Sequence, residues 1–267
     1  MTTPSDEENV VSYPTRGLKV TKALPRSILT IDIGGSKIKC LLRGETEPRR
    51  FLSGPTMTPP KMVQTVQELT TDWEYEAISM GYPGLVGSSG PISEPGNLGS
   101  GWVGYDYAAA FGRPVRVLND AALQALGSYE GGKMLFLGLG TGLGSTLISQ
   151  NTIIPLELGC LPSHLGKSCG EILGRGGLRK LGTRAWREAV KTLVHAFLPA
   201  FEVDYVVLGG GNAKLIKEVP AGARVAHNQT AFRGGFRLWH SDDIQTLESV
   251  EPGETPQHEP PVEWRLA

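Results

Sequence analysis

The sequence is poor in cysteine and in net charge, and it has no long hydrophobic run. Three cysteines among 267 residues are too few for a disulfide framework, and they suit a reducing, cytoplasmic location. The formal net charge is only −1, and the mild basicity of the central segment is too weak to imply nucleic acid as a partner. No apolar stretch is long enough to cross a membrane, so no membrane association is expected. The N-terminal residues also lack the basic and apolar regions of a signal peptide.

Both ends of the chain are predicted to be disordered. Residues 241–267 carry seven acidic residues and one basic residue, with many prolines and almost no apolar periodicity. Residues 1–27 are also predicted to be a disordered tail. The segment between them is therefore mildly basic, which suits an anionic ligand.

Glycine is in excess, and its clusters predict two similar hairpins. The 35 glycines are about 13% of the chain, where about 7% is typical. Predicted strands over 27–33 and 36–43 flank the turn in DIGGS, and predicted strands over 134–139 and 145–149 flank GLGTGLG. If the two turns face each other across a cleft, their backbone N–H groups would form a nest for phosphate oxygens. The simpler interpretation is that each is an ordinary hairpin turn.

Two aspartates stand at the ends of predicted strands. Asp32 closes the first strand beside its glycine turn, where a carboxylate could hold Mg²⁺ directly or through water, or could simply cap the turn. Asp120 stands where a strand over 115–118 meets a helix predicted to run to about Ser128. It could act as a general base on a substrate hydroxyl during phosphoryl transfer, or it could be a helix N-cap.

Three further polar residues are candidates for binding hydroxyl groups. They are Asn97 in a turn, Glu157 after a strand, and Glu171, and each of them has a surface or turn role as its alternative. Cys160, His164 and Cys169 offer only three possible zinc ligands, and their spacing fits no common framework. No structural zinc is therefore expected.

Taken in order, the motifs resemble the ROK family of sugar kinases, and within it the polyphosphate glucokinase branch. The resemblance covers about 28–240 and is carried by eight segments: DIGGSKIK (32–39), GYPGLV (81–86), the stretch with Asn97, Leu98 and Trp102, RPVRVLNDA (113–121), LGLGTGLGS (137–145), PLELGCL (155–161), YVVLGGGN (205–212) and NQTAFRGGFRLW (228–239). The family's ELGH motif reads Glu157-Leu158-Gly159-Cys160 here, so a cysteine replaces a histidine.

The resemblance implies an α/β fold with two lobes, the actin-like ATPase fold of hexokinases and ROK proteins. An N-terminal lobe over 28–118 and a C-terminal lobe over 119–240 would enclose the cleft, with a last helix near 231–239 packed back on the N-terminal lobe. The implied activity is a Mg²⁺-dependent glucokinase that transfers phosphate from polyphosphate or ATP to the 6-hydroxyl of glucose, in a cytoplasmic homodimer. The alternative is a non-catalytic sugar-binding regulatory protein. Before residue 27 no helix-turn-helix is visible, which argues against a DNA-binding repressor.

The resemblance also assigns roles to individual residues. Asp120 would be the catalytic base, and the sugar would be bound by Asn97, Asn119, Asp120, Glu157 and Glu171. Asp32 would hold Mg²⁺. The phosphate- or nucleotide-binding residues would be Asp32, Gly34, Gly35, Ser36, Lys37, Gly140, Thr141, Gly142, Gly210, Gly211 and Asn212.

A basic stretch could form a track for polyphosphate. Its members are Lys167, Arg175, Arg179, Lys180, Arg184 and Arg187. The alternative is that these charges are the solvated faces of helices.

Overall fold

The computed structural model describes residues 25–163, 166–226, 229–239 and 264–267, which form two α/β lobes. The first lobe contains β1 (Ile28–Ile33), β2 (Lys37–Leu42), β3 (Arg49–Leu52), α1 (Pro59–Leu69), β4 (Ala77–Tyr82), β5 (Val86–Gly87), β6 (Gly90–Pro91), α2 (Tyr107–Phe111) and β7 (Val115–Asn119). The elements that follow are α3 (Asp120–Ser128), β8 (Met134–Leu139), β9 (Leu143–Ser149), β10 (Thr152–Leu156), α4 (Cys169–Leu173), α5 (Arg175–Ala200), β11 (Tyr205–Gly209), β12 (Ala223–Val225), α6 (Thr230–Arg237) and β13 (Arg265–Leu266).

The two main sheets share one topology. The first sheet has the order β3-β2-β1-β4-β7, and the second has the order β12-β11-β8-β9-β10-β13. In the first, β1 to β3 form an antiparallel meander, and β4 and β7 run parallel to β1. In the second, β8 to β10 form the meander, and β11 and β12 run parallel to β8. The two predicted glycine hairpins are therefore equivalent parts of the two sheets.

Local sequence explains most of these elements. β1 and β8 are nearly continuous apolar runs, as expected for strands that are covered on both faces. Gly182 has a φ of 74° and breaks α5. The part beyond this break buries one apolar stripe against the second sheet, and it corresponds to the helix predicted over 183–198.

Two helices cross between the sheets. α3 follows the last strand of the first sheet and packs against β8, β9 and β10 of the second. α6 follows β12 at the edge of the second sheet and packs against β1 and β4 of the first. The two helices also pack closely against each other, because glycines at Gly127 and Gly234 let their backbones touch.

The C-terminal end corrects a sequence prediction. Residues 264–267 were included in the predicted disordered tail, but β13 pairs in parallel with β10, so that Arg265 lies opposite Thr152. The ring of Trp264 packs edge-on against Tyr129, with 5.7 Å between ring centroids. The prediction of disorder is therefore wrong for these four residues, and its remaining part, 241–263, lies outside the described residues.

At the other end, residues 1–24 lie outside the described part, and residues 25–27 are held by the loop before β4. The Arg26 N–H donates to Glu76, and the Ser27 hydroxyl donates to the Glu74 carbonyl. Among the helices of the described residues, none is both long enough and apolar enough to span a bilayer.

Candidate functional site

Asp120 lies at the carboxyl end of the parallel strands of the first sheet. Asp32 pairs in register with Gly81, and Tyr82 pairs with Asn119, so β1, β4 and β7 end together beside the start of α3. Ligands of open α/β sheets bind at such an edge. Gly81 leaves room for the helix, because a Cβ there would lie 3.0 Å from Cδ2 of Leu123.

Asn119 fixes the junction that carries Asp120. Its Oδ1 accepts hydrogen bonds from the N–H groups of Ala121 and Ala122, at 2.9 and 3.3 Å, and so caps α3. Its Nδ2 donates to the carbonyl of Gly84 at 3.0 Å and ties down the loop after β4. The predicted sugar ligand Asn119 therefore has a structural role in this conformation.

The electrostatics single out Asp120. Its pKa is raised from 3.8 to about 6, chiefly by burial and then by the negative charges of Asp32 and Glu157, although a hydrogen bond from the Ala121 N–H opposes the shift. Burial also raises the pKa of Asp32, and this is partly offset by Lys39, whose Nζ lies 3.6 Å from the Asp32 carboxylate. A carboxylate that binds protons at near-neutral pH is suited to general base catalysis.

The first glycine turn is tight and lies against the loop that carries Asn97. The Gly34 N–H donates to the Lys37 carbonyl at 3.1 Å. A Cβ on Gly34 would lie 2.8 Å from that carbonyl oxygen, and a Cβ on Gly35 would lie 3.1 Å from the Cβ of Asn97. Ser36 and Lys37 are exposed beside the turn. The turn therefore presents bare backbone to the edge where Asp32 and Asp120 lie.

The second glycine turn is held by two other segments. The Arg175 N–H at the start of α5 donates to the Gly140 carbonyl at 3.0 Å, and Asn212 Nδ2 donates to the same oxygen at 3.3 Å. Gly210 has a φ of 78°, and a Cβ there would lie 2.7 Å from the Leu139 oxygen. The structure thus brings together the predicted phosphate-binding residues of this lobe, which are Gly140, Thr141, Gly142, Gly210, Gly211 and Asn212.

The start of α3 lies between the two hairpins. A Cβ on Gly144, just beyond the second turn, would lie 2.8 Å from the Cβ of Ala121. Asp120 is therefore near Asp32 of the first hairpin, whose charge acts on it. The next residue, Ala121, contacts the second hairpin at Gly144. This arrangement could align a hydroxyl group with a phosphoryl group held at both turns.

Glu157 and Glu171 differ in their surroundings. Glu157 is exposed and precedes a 3₁₀ turn over Leu158–Cys160, which Ser145 holds through hydrogen bonds to the Leu156 carbonyl and from the Leu158 N–H. Glu171 forms a capping box with Ser168 at the start of α4, and these hydrogen bonds lower the pKa of its carboxyl. The charge of Glu157 acts on Asp120, whereas Glu171 has a structural role in α4.

Lys39 and Ser145 contact the candidate site, and the sequence analysis did not single them out. Lys39 lies opposite Asp32 across the hairpin. The register of a tight turn between 32 and 39 could have revealed that pair. Ser145 pairs with Leu156 in the hairpin of β9 and β10, a pairing that the sequence analysis did not predict.

The residues present fit a Mg²⁺ ion bound mainly by its substrate. Within the described ranges, no three His, Cys, Asp or Glu side chains converge as a metal cluster. Mg²⁺ commonly takes only one or two carboxylates, together with substrate phosphates and water. The partly buried Asp32 beside the first glycine turn supplies one such carboxylate. For zinc, Cys160 is exposed, Cys169 is buried, and His164 lies outside the described residues.

The fold and the site define a class of protein. Two lobes of matching topology, each presenting a glycine hairpin beside a shared carboxylate, are the actin-like ATPase fold of hexokinase-type sugar kinases, and solved structures of such kinases share it. Residues 28–162 match the ROK family, and the chain belongs to that family.

Three known proteins illustrate the similarity. A polyphosphate glucokinase from Mycobacterium tuberculosis is 28% identical over 214 residues, which are 71% of this chain and 80% of the relative. A polyphosphate glucokinase from Mycobacterium leprae is 29% identical over 206 residues, which are 68% of this chain and 62% of that relative. The crystal structure of an inorganic polyphosphate/ATP-glucomannokinase from Arthrobacter has a TM-score of 0.66 and 22% identity, over 79% of this chain and 96% of that one.

Proposed function

We propose that this chain is a glucokinase that transfers a phosphoryl group from polyphosphate or ATP to the 6-hydroxyl of glucose. The observation that supports this most strongly is the placement of Asp120, whose pKa is raised to about 6, between two glycine turns. The names of the two mycobacterial relatives favour the same substrate and donor. The predicted homodimer and the cytoplasmic location stay predictions.

The chemistry follows from the groups at the sheet edge. A sugar hydroxyl is a poor nucleophile, and Asp120 would take its proton as it attacks the phosphorus. The two turns would hold phosphate oxygens through the backbone N–H groups of Gly35, Ser36, Thr141 and Gly142, since those of Gly34 and Gly140 donate within their own turns. Mg²⁺, when bound at Asp32, would neutralise charge on the transferring group. Asn97 and Glu157 would bind other sugar hydroxyls and orient the reacting one.

The sugar is proposed to be glucose, with mannose as the alternative. The Arthrobacter structure is of a glucomannokinase, so related folds accommodate more than one hexose. Glu157 and Asn97 are exposed and could bind hydroxyl groups of either sugar. Cys160, which stands where the family has a histidine, is a weaker hydrogen-bonding group and would reduce affinity for the sugar. Comparing kcat/KM for glucose and mannose under one donor decides between them.

The donor is proposed to include polyphosphate because Arg175 of the basic stretch contacts the second phosphate turn. The Arg175 N–H donates to the carbonyls of Gly140 and Thr141. Arg179 follows one helical turn later, and both side chains are exposed. Arg187 does not belong to a free track, since its Nε donates to the Leu215 carbonyl at 2.6 Å. The track would therefore run from Arg175 towards the break at Gly182.

We expect the double variant Arg175→Ala, Arg179→Ala to raise KM for long-chain polyphosphate by about tenfold or more, because each lost cation removes a contact to the polyanion. KM for ATP should change much less. In the unmodified protein, KM for polyphosphate should also rise more steeply with salt than KM for ATP. Steady-state kinetics with both donors at several salt concentrations measure these effects.

Lys191→Ala is the matched control, because this exposed cation lies on α5 beyond the break. It should leave both KM values unchanged. Phosphorylation of glucose with ATP, but none with long-chain polyphosphate at low salt, would show that the donor assignment is wrong and that the chain is an ATP-dependent kinase.

A further inference from the structure

The two carboxylates at the site are carried by different lobes. Asp32 lies on β1 of the first sheet, whereas Asp120 starts α3, which packs mainly on the second sheet. Their separation therefore depends on how α3 is held against the first sheet. The first turn of α3 is attached directly to that sheet, through the junction at Asn119 and the contact of Gly81 with Leu123, whereas the rest of α3 can change its angle about this junction. A second connection runs through α6, which touches both partners.

α6 contacts α3 through the backbone at Gly234 and through the side chain of Arg237. A Cβ on Gly234 would overlap the Leu123 carbonyl oxygen, so the two helix backbones are in direct contact. The buried Arg237 donates from Nη1 to the carbonyls of Leu126 and Tyr129, at 2.9 and 2.8 Å. Leu126 lies in the last turn of α3 and Tyr129 is its C-cap residue, so Arg237 binds the end of the helix, where carbonyls lack the regular helical partners. Arg237 therefore restrains α3 from sliding along the axis of α3.

The other side of α6 is fixed to the first sheet by Ser79. Its hydroxyl, which is fully buried on β4, donates to the Gly235 carbonyl at 2.5 Å and accepts from Trp239 Nε1 at 2.9 Å. Thr30 lies beside Ser79 on β1, and a Cβ on Gly235 would overlap its hydroxyl. Residue Gly235 thus lies directly on the two strands whose ends form the site.

We propose that Ser79 and Arg237 are positioning residues, which act through α6 to hold Asp120 at its working distance from Asp32. Ser79 fixes α6 to the sheet that carries Asp32, and Arg237 fixes α3, which carries Asp120, to α6. Loss of either link lets α3 shift relative to β1 and β4. A displacement of about 1 Å in a catalytic group can cost about a hundredfold in rate.

The pKa of Asp120 reports this position. The charged groups that act on it are Asp32 from β1 and Glu157 from the segment after β10, and Lys39 on β2 is paired with Asp32. A shift of α3 away from the first sheet would admit water and move Asp120 away from Asp32. Both effects lower the pKa of Asp120 towards the ordinary value for a carboxyl group.

The test uses Ser79→Ala and Arg237→Lys in the full chain, with Val194→Ala as a control. Val194 is a buried core residue of α5 and is not part of α3 or α6. The pKa of Asp120 is measured by carbon NMR titration of its carboxyl group, with Asp120→Asn providing the assignment. Kinase assays give kcat and KM for glucose separately.

We expect both positioning variants to lower the pKa of Asp120 and to reduce kcat by about tenfold to a hundredfold, with KM for glucose within about twofold. Val194→Ala should lose stability without either change. If Ser79→Ala and Arg237→Lys lose stability but keep the wild-type pKa and kcat, the proposal is wrong. Should Arg237→Lys fail to fold, Ser79→Ala decides alone.

Only the kinetic measurements in this test depend on the proposed function. Absence of glucose phosphorylation by the unmodified protein would overturn the proposed function. The NMR titration would then still decide whether α6 sets the environment of Asp120, because it requires no substrate.

Discussion

Asp120→Asn is expected to reduce kcat for glucose phosphorylation by about 10²–10⁴-fold, the usual contribution of a general base. The asparagine keeps the size of the side chain and an oxygen that can accept the hydrogen bond from the Ala121 N–H. It cannot take the proton of the sugar hydroxyl. Coupled assays over a range of glucose concentrations measure the loss in kcat separately from any change in KM.

The same substitution should raise stability at neutral pH. The pKa of Asp120 in the folded state, about 6, lies above its ordinary 3.8. Protonation of Asp120 therefore stabilises the folded state, and this contribution is fully present below about pH 3.8. This contribution is lost as pH rises through about 6. Above pH 6 the unmodified protein holds a buried carboxylate that the variant lacks, and the variant should be more stable by up to about 3 kcal/mol.

Asp106→Asn is the matched control, since Asp106 also accepts a backbone hydrogen bond at the start of a helix but lies on the surface at α2. It should change neither kcat nor the pH dependence of stability. Near-full turnover by a folded Asp120→Asn variant would show that Asp120 is not the base.

Gly234→Ala is expected to destabilise the fold by about 3 kcal/mol or more, the upper range for overpacking in a well-packed core. The added methyl group would overlap the Leu123 carbonyl oxygen and would approach the Gly127 N–H to 2.9 Å. Both are backbone atoms of α3, so no side chain can move aside. Denaturant unfolding followed by fluorescence of the buried tryptophans gives the change in free energy of unfolding.

Gly176→Ala provides the comparison. Gly176 lies in α5, and a Cβ there meets nothing within 4 Å. Alanine should be neutral or stabilising by up to about 1 kcal/mol at that helical position. Equal stability of Gly234→Ala and the unmodified protein would mean that α3 and α6 do not cross as closely as described.

Gly234 illustrates what could and could not be predicted from the sequence. The segment NQTAFRGGFRLW was singled out by family resemblance, and it favoured polyphosphate as the donor. In the structure, its glycines, Arg237 and Trp239 make packing contacts between the lobes. A contact between helices that are more than 100 residues apart leaves no local pattern, so its physical reason could not be inferred from the sequence.

Local signals predicted the elements that carry the site. The apolar runs, the two glycine turns and the strand-to-helix junction at Asp120 follow from short stretches of sequence, and the structure has them at nearly the expected positions. The cap formed by Glu171 could also have been recognised, because Ser168 and Glu171 have capping-box spacing. The strand β13 could not, because two residues after an acidic segment carry no strand pattern.

The most direct test of the account is the formation of glucose 6-phosphate by the full chain with Mg²⁺, supplied separately with ATP and with long-chain polyphosphate, in parallel with Asp120→Asn. We expect product with at least one donor and its near-complete loss in the folded variant. If the unmodified protein binds glucose but forms no product with either donor, the chain is a sugar-binding protein without kinase activity, and the central claim is contradicted.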